Sequence, residues 1–200
     1  MHWLFRFRNS SANQWALLTL IIGCLVIAGI PVFERVMQFA DDVEFRYLAN
    51  AFEGSAQNIQ MRSALKTENK QSDIVTVDNV NFRMTQSNQT QNGFPFALEN
   101  GAKQLSDLTA DDCGALFSQL TDQSYWLETD TRPEALKSPQ PTVRAVVIQD
   151  TDNLLPYCRF ERPVRTGFWR DGESDFLDHH VFTYYPVTGR VEVLRENQEK

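Results

Sequence analysis

The sequence predicts an α+β protein: a single N-terminal transmembrane helix continues into a long amphipathic helix packed on a small antiparallel sheet. Three observations carry this. The run from Trp15 to Phe33 holds no charged side chain, and residues 34–66 stay rich in helix formers with no turn signal before Gly54. Beyond Lys66 the apolar pattern changes from helical to alternating spacing, without the strand-helix-strand rhythm of a parallel sheet.

Length and charge set the frame. Two hundred residues with 42% apolar content suffice for one domain of about 100–150 residues plus appendages. The net charge is −7, and all 26 acidic residues lie at or after Glu34. An acidic body of this kind excludes nucleic-acid binding, which needs a basic face to release counterions.

Residues 1–14 read as a cytoplasmic N-terminus and residues 15–33 as the transmembrane helix. Its 19 positions rise about 28 Å, close to the roughly 30 Å of a bilayer's hydrocarbon. Arg6 and Arg8 precede the run and Trp3 and Trp15 flank its start, which orients the N-terminus inward and exports everything after Phe33. A cleaved signal is the rival reading. Its best cleavage position, Ala40, has the bulky polar Gln38 two residues earlier, and the apolar run exceeds the usual signal length of about 7–15 residues. A retained anchor is therefore expected, with Pro31 as a kink near its outer end.

Residues 34–66 read as the exported amphipathic helix. Val36, Ala40, Val43 and Tyr47 follow helical spacing, and Leu48, Phe52, Ala56 and Ile59 continue a stripe displaced by one residue. A helix unbroken from Trp15 to Leu65 spans some 50 residues, and Gly54, which costs it about 1 kcal/mol against alanine, is where a bend or break would fall, so continuity past it is left open. Two uses are open for the stripe. It packs against the chain's own core, or Val36, Ala40, Val43, Tyr47, Phe52 and Ile59 form a partner-binding spine.

Residues 67–200 form the α+β domain. Residues 67–73 read as a polar loop, and Ile74, Val75 and Val77 mirror Val80, Phe82 and Met84 about Asp78-Asn79, as in a hairpin. Residues 87–96 read as a turn-rich polar stretch, whose Asn88 opens a glycosylation sequon of low specificity. Next comes a short helix with Thr109 as N-cap, Asp112 three residues on, and Cys113, Leu116, Phe117 and Leu120 on one face. A second loop at 130–141 precedes strands at 142–150 and 156–163, and a final strand pair turns near Pro186 to Gly189.

The cysteines divide by compartment. Cys24 lies in the apolar run as a small filler, whereas Cys113 and Cys158 are the two in the exported part, so they are predicted to be bonded. A loop of this size gains roughly 3–5 kcal/mol from closure in the chain-entropy estimate. A metal site of these cysteines with His179 and His180 is disfavoured, because adjacent strand residues point to opposite faces. The acidic and histidine run at 171–180 matches no calcium-loop spacing and reads equally as a solvated loop. The pair Phe168-Trp169 stands between polar residues as a surface contact or a core edge. No nucleophile, phosphate-loop, dinucleotide or zinc-protease motif is present, so no enzyme activity and no cofactor are expected.

Three fragments carry a resemblance. NGFPFALENG, DDCGALFSQL, and YCRFER followed by VFTYYPVTGRVEV resemble the Gly-aromatic-Pro, Asp-Cys and Cys-x-aromatic … Tyr-x-x-x-Thr-Gly-x-Val patterns of mannose-sensitive haemagglutinin (MSHA) pilins. The layout is similar to that of type IV pilin-related proteins, and the echoes, each short, cover most of the chain. The resemblance implies a seat in the bacterial inner membrane with a periplasmic domain, and pilins and pilus assembly-platform proteins as partners. A processed prepilin carries a leader ending in Gly, an aromatic residue and a glutamate at the fifth mature position. Here SSANQWALLTLIIG has neither that Gly nor that glutamate, and Glu34 comes only at the far end. The resemblance thus implies a non-enzymatic accessory protein of pilus assembly, with a minor pilin or pseudopilin in the filament as the alternative and a homodimer left open.

Overall fold

The computed structural model describes residues 11–66, 73–86, 92–127, 143–149, 155–163 and 179–195. The first element, α1, is a single helix over Ser11–Lys66, 56 residues with Pro31 inside it. It passes Gly54 without a break, because Phe52 and Ala56 on either side are fully buried and their packing outweighs the glycine penalty of about 1 kcal/mol. The chain divides into two compact units, the first holding α1 up to Asp41 and the second holding α1 from Asp42 together with all the strands.

In the first unit the apolar side chains are uncovered: Trp15, Leu20, Ile27 and Phe33 are each more than 60% exposed. A bare apolar helix of this kind belongs in lipid rather than water. Among the described residues, α1 is the one helix long and apolar enough to cross a membrane.

The second unit is α+β. A three-stranded antiparallel sheet consists of β1 (Ile74–Val77), β2 (Val80–Gln86) and β3 (Asn92–Leu98) in sequential order. Asp78 and Asn79, with φ of 51° and 67°, form the two-residue turn whose left-handed backbone matches the strand twist. A 3₁₀ turn at Leu105–Asp107 leads to α2 (Ala110–Thr121). The second sheet has the order β4 (Tyr125–Trp126), β5 (Val143–Gln149), β6 (Pro156–Pro163), β7 (His179–Tyr185) and β8 (Arg190–Arg195). Its neighbours are antiparallel except β4 and β5, which run parallel.

Two expectations are corrected here. The single antiparallel sheet is two sheets with one parallel pair, since β4 is two residues long and too short to show a period. Part of the turn-rich stretch at 87–96 is strand β3, which tolerates Gly93 and Pro95 because it is an edge strand. The loops at 67–72 and 130–141, Asn88, Phe168-Trp169 and residues 171–178 lie outside the described residues.

The core forms where α1 meets the sheets and α2. Phe45, Ala49, Phe52, Ala56, Ile59 and Ser63 recur at alternating steps of four and three, and all are buried. Phe52 packs at ring-centroid distances of 4.9 Å from Tyr184, 5.5 Å from Phe160, 5.9 Å from Phe182 and 6.3 Å from Phe117. Helix α2 adds Cys113, Leu116 and Phe117, and the predicted Cys113–Cys158 disulfide joins α2 to β6 within this layer.

Candidate functional site

The long helix presents two faces in the second unit. Val43 and Tyr47 each stand two residues before a core residue, Phe45 and Ala49, which at 3.6 residues per turn is about 200° around the helix. They therefore face away from the core and are 46% and 74% exposed. Gly54, Met61 and Leu65 continue the same outer line, and all are exposed. Charge is kept to the flanks. Arg46 Nε pairs with Asp42 at 3.1 Å, Glu44 with Arg162 of β6 at 3.2 Å, and Arg62 with Asp78 of the β1–β2 turn at 3.2 Å. The outer line itself is uncharged.

The six residues expected as one partner-binding face do not stay together. Val36 and Ala40, in the first unit, are exposed, as are Val43 and Tyr47 in the second. Phe52 and Ile59 are 0% and 4% exposed in the chain's own core, so they are removed from that face. The five-residue step from Tyr47 to Phe52 turns the helix by about 140°, and this carries the stripe from one side to the other. Phe45 and Ala49 are the core residues the sequence reading missed. Their signal was the four-and-three spacing they share with Phe52, Ala56 and Ile59.

A polar junction sits at the start of the core face. Phe45 stacks on His180 at 5.4 Å and lies 5.2 Å beneath the Arg162 guanidinium. Asp42 Oδ1 is 3.9 Å from His180 Nδ1. His180 is thus part of helix-sheet packing, and the described residues contain no group of three or more His, Cys, Asp or Glu placed to hold a metal. On β6, Glu161 is buried between Arg144, whose Nε is 2.7 Å away, and Arg159, whose Nε is also 2.7 Å away. Arg144 in turn lies over the Trp126 ring at 5.7 Å.

Residues of the NGFPFALENG and VFTYYPVTGRVEV fragments converge on a seam between the two sheets. Tyr184 Oη donates to the Pro95 carbonyl at 2.7 Å, and Thr85 Oγ1 donates to the Pro186 carbonyl at 3.1 Å while accepting from Phe94 N at 2.9 Å. Gly189, at φ 70°, leaves room for the Phe94 ring, and Gly93 leaves room for the Thr85 side chain. Full burial pushes the Tyr184 phenol well above its ordinary value, because the ionised form is desolvated there. These fragments do structural work: they join sheets rather than line a reactive cleft.

Compared with family models, curated proteins and solved structures, the chain matches none.

Proposed function

We propose that this chain is a single-pass inner-membrane accessory protein for assembly of an MSHA-type type IV pilus, acting by binding rather than catalysis. The single observation that carries the reading is the outer line of α1. It is apolar at Val43, Tyr47, Met61 and Leu65, uncharged between, and turned away from the chain's own core. An exposed stripe of this kind on a helix rising from a membrane suits a partner helix in a groove. The layout of a long apolar helix followed by antiparallel strands and a Cys113–Cys158 bond supports a pilin-like domain. The short fragments resemble those of MSHA pilins, and the chain as a whole resembles biogenesis protein F of that system. On this reading the N-terminus is cytoplasmic, the domain periplasmic, and the partners are pilins or assembly-platform proteins.

A photo-crosslinking amino acid placed at position 47 in pilus-producing cells tests it. Adducts with a pilin or platform protein are expected, and they should weaken when Val43 and Met61 are changed to Ser. Adducts equally strong from a position on the core face, such as Phe52, would sink the reading. A second reading, a minor pilin within the filament, is favoured by the continuity of α1 through residue 66. The intact mass of the membrane-extracted protein separates the two: the full chain is expected for an anchor, and loss of the residues before the apolar run for a pilin.

A further inference from the structure

We propose that the Cys113–Cys158 bond forms before the Asp42–Lys66 part of α1 docks, because the docked helix closes the buried layer in which both cysteines lie. This inference does not depend on the identity of the pilus partners. Both cysteines are 0% exposed. Thiol–disulfide exchange requires a donor sulfur to reach a protein thiolate directly, and a fully covered pair offers no such approach. The helix packs on the same layer. Phe52 belongs to the same buried cluster as Cys113, Phe117, Cys158 and Phe160, and it packs on Phe117, one turn beyond Cys113, and on Phe160, two residues beyond Cys158. The floor on which Phe52 rests is therefore the layer that the disulfide joins.

Chain order sharpens the point. The helix precedes both cysteines, which are 45 residues apart, so its inner face is made long before the second thiol exists. The step itself is an exchange with a disulfide-bearing donor. One protein thiolate attacks the donor disulfide to give a mixed disulfide, and the second thiolate displaces the donor sulfur. The protein loses two electrons and two protons, and the donor leaves as a dithiol.

The test uses the full-length chain in detergent with Cys24→Ala, which removes the one cysteine outside the bond. The reduced, denatured chain is diluted into folding buffer with a glutathione disulfide/thiol mixture, and samples are taken over time. Intact mass after thiol alkylation reports the bond, and trypsin cleavage after Arg46 and Arg62 reports docking. The expected result is loss of cleavage at both arginines only in molecules already carrying the bond. Protection that appears in molecules whose two thiols are still free overturns the proposal. A second measurement covers a chain that refolds poorly. The native oxidised protein is exposed to dithiothreitol with and without urea, and resistance without urea is expected. Reduction of the undenatured protein at the rate seen in urea would show that the pair is reachable after docking, and would also overturn the proposal.

Discussion

Asp112 shows how much one side chain can hold. Its carboxylate accepts from Ala102 N and Thr109 N at 3.0 Å each and from Thr109 Oγ1 at 2.6 Å, while its own N–H donates to Thr109 Oγ1. Hydrogen bonds to a buried carboxylate such as this one are worth about 1.5–3 kcal/mol, and a lost cap costs about 1. Asp112→Ala is expected to destabilise the domain by roughly 2–3 kcal/mol in urea melts. Tyr184 makes a pH prediction. Its folded phenol is raised by burial, whereas in the unfolded chain it titrates near about 10. Below that value both states are neutral and nothing is lost; above it the unfolded state alone ionises, so stability falls as pH rises. Tyr184→Phe should cost about 1 kcal/mol at neutral pH and flatten the decline above pH ~10, read from melts across that range. Of these residues, the Thr109–Asp112 cap was legible because both partners lie within one turn. The Tyr184–Pro95 bond was not, since its partners are 89 residues apart and only the folded sheets bring them together.

At the scale of elements, the two faces of α1 answer differently to the same change. Phe52→Ala removes a fully buried ring and should cost about 3–5 kcal/mol, while Tyr47→Ala should change stability by less than about 0.5 kcal/mol, both measured by thermal unfolding. Gly54→Ala should stabilise by up to about 1 kcal/mol, since an added methyl meets only open space. The β1–β2 hairpin and the β7–β8 pair were readable from alternation flanked by turn residues. The division of the α1 stripe was not, because both faces carry apolar residues at helical spacing and only the sheets decide which of them is covered. Strand β3 hid behind Gly93 and Pro95, residues that usually interrupt a strand and here sit on an edge.

At the scale of the molecule, the core and disulfide lie wholly in the second unit, while the uncovered apolar surface of α1 is concentrated before Asp42. A chain beginning at Asp42 is therefore expected to stay folded and monodisperse without detergent, and the full chain to require it. Size-exclusion chromatography of both forms checks this, and aggregation of the shorter form would place essential core packing before Asp42. The seam between the sheets bears on descent. Gly93 faces Thr85 and Gly189 faces the Phe94 ring, with no space at either place for another atom. Neither glycine can drift. A Cβ at 93 would also meet the Thr85 carbonyl oxygen, which no change of side chain at 85 moves, and the left-handed backbone at 189 disfavours any side chain whatever stands at 94, so lineages that inherit this seam should keep glycine at both positions. The two glycines should therefore be inherited together and unchanged, a mark of shared ancestry where the sequence around them has diverged.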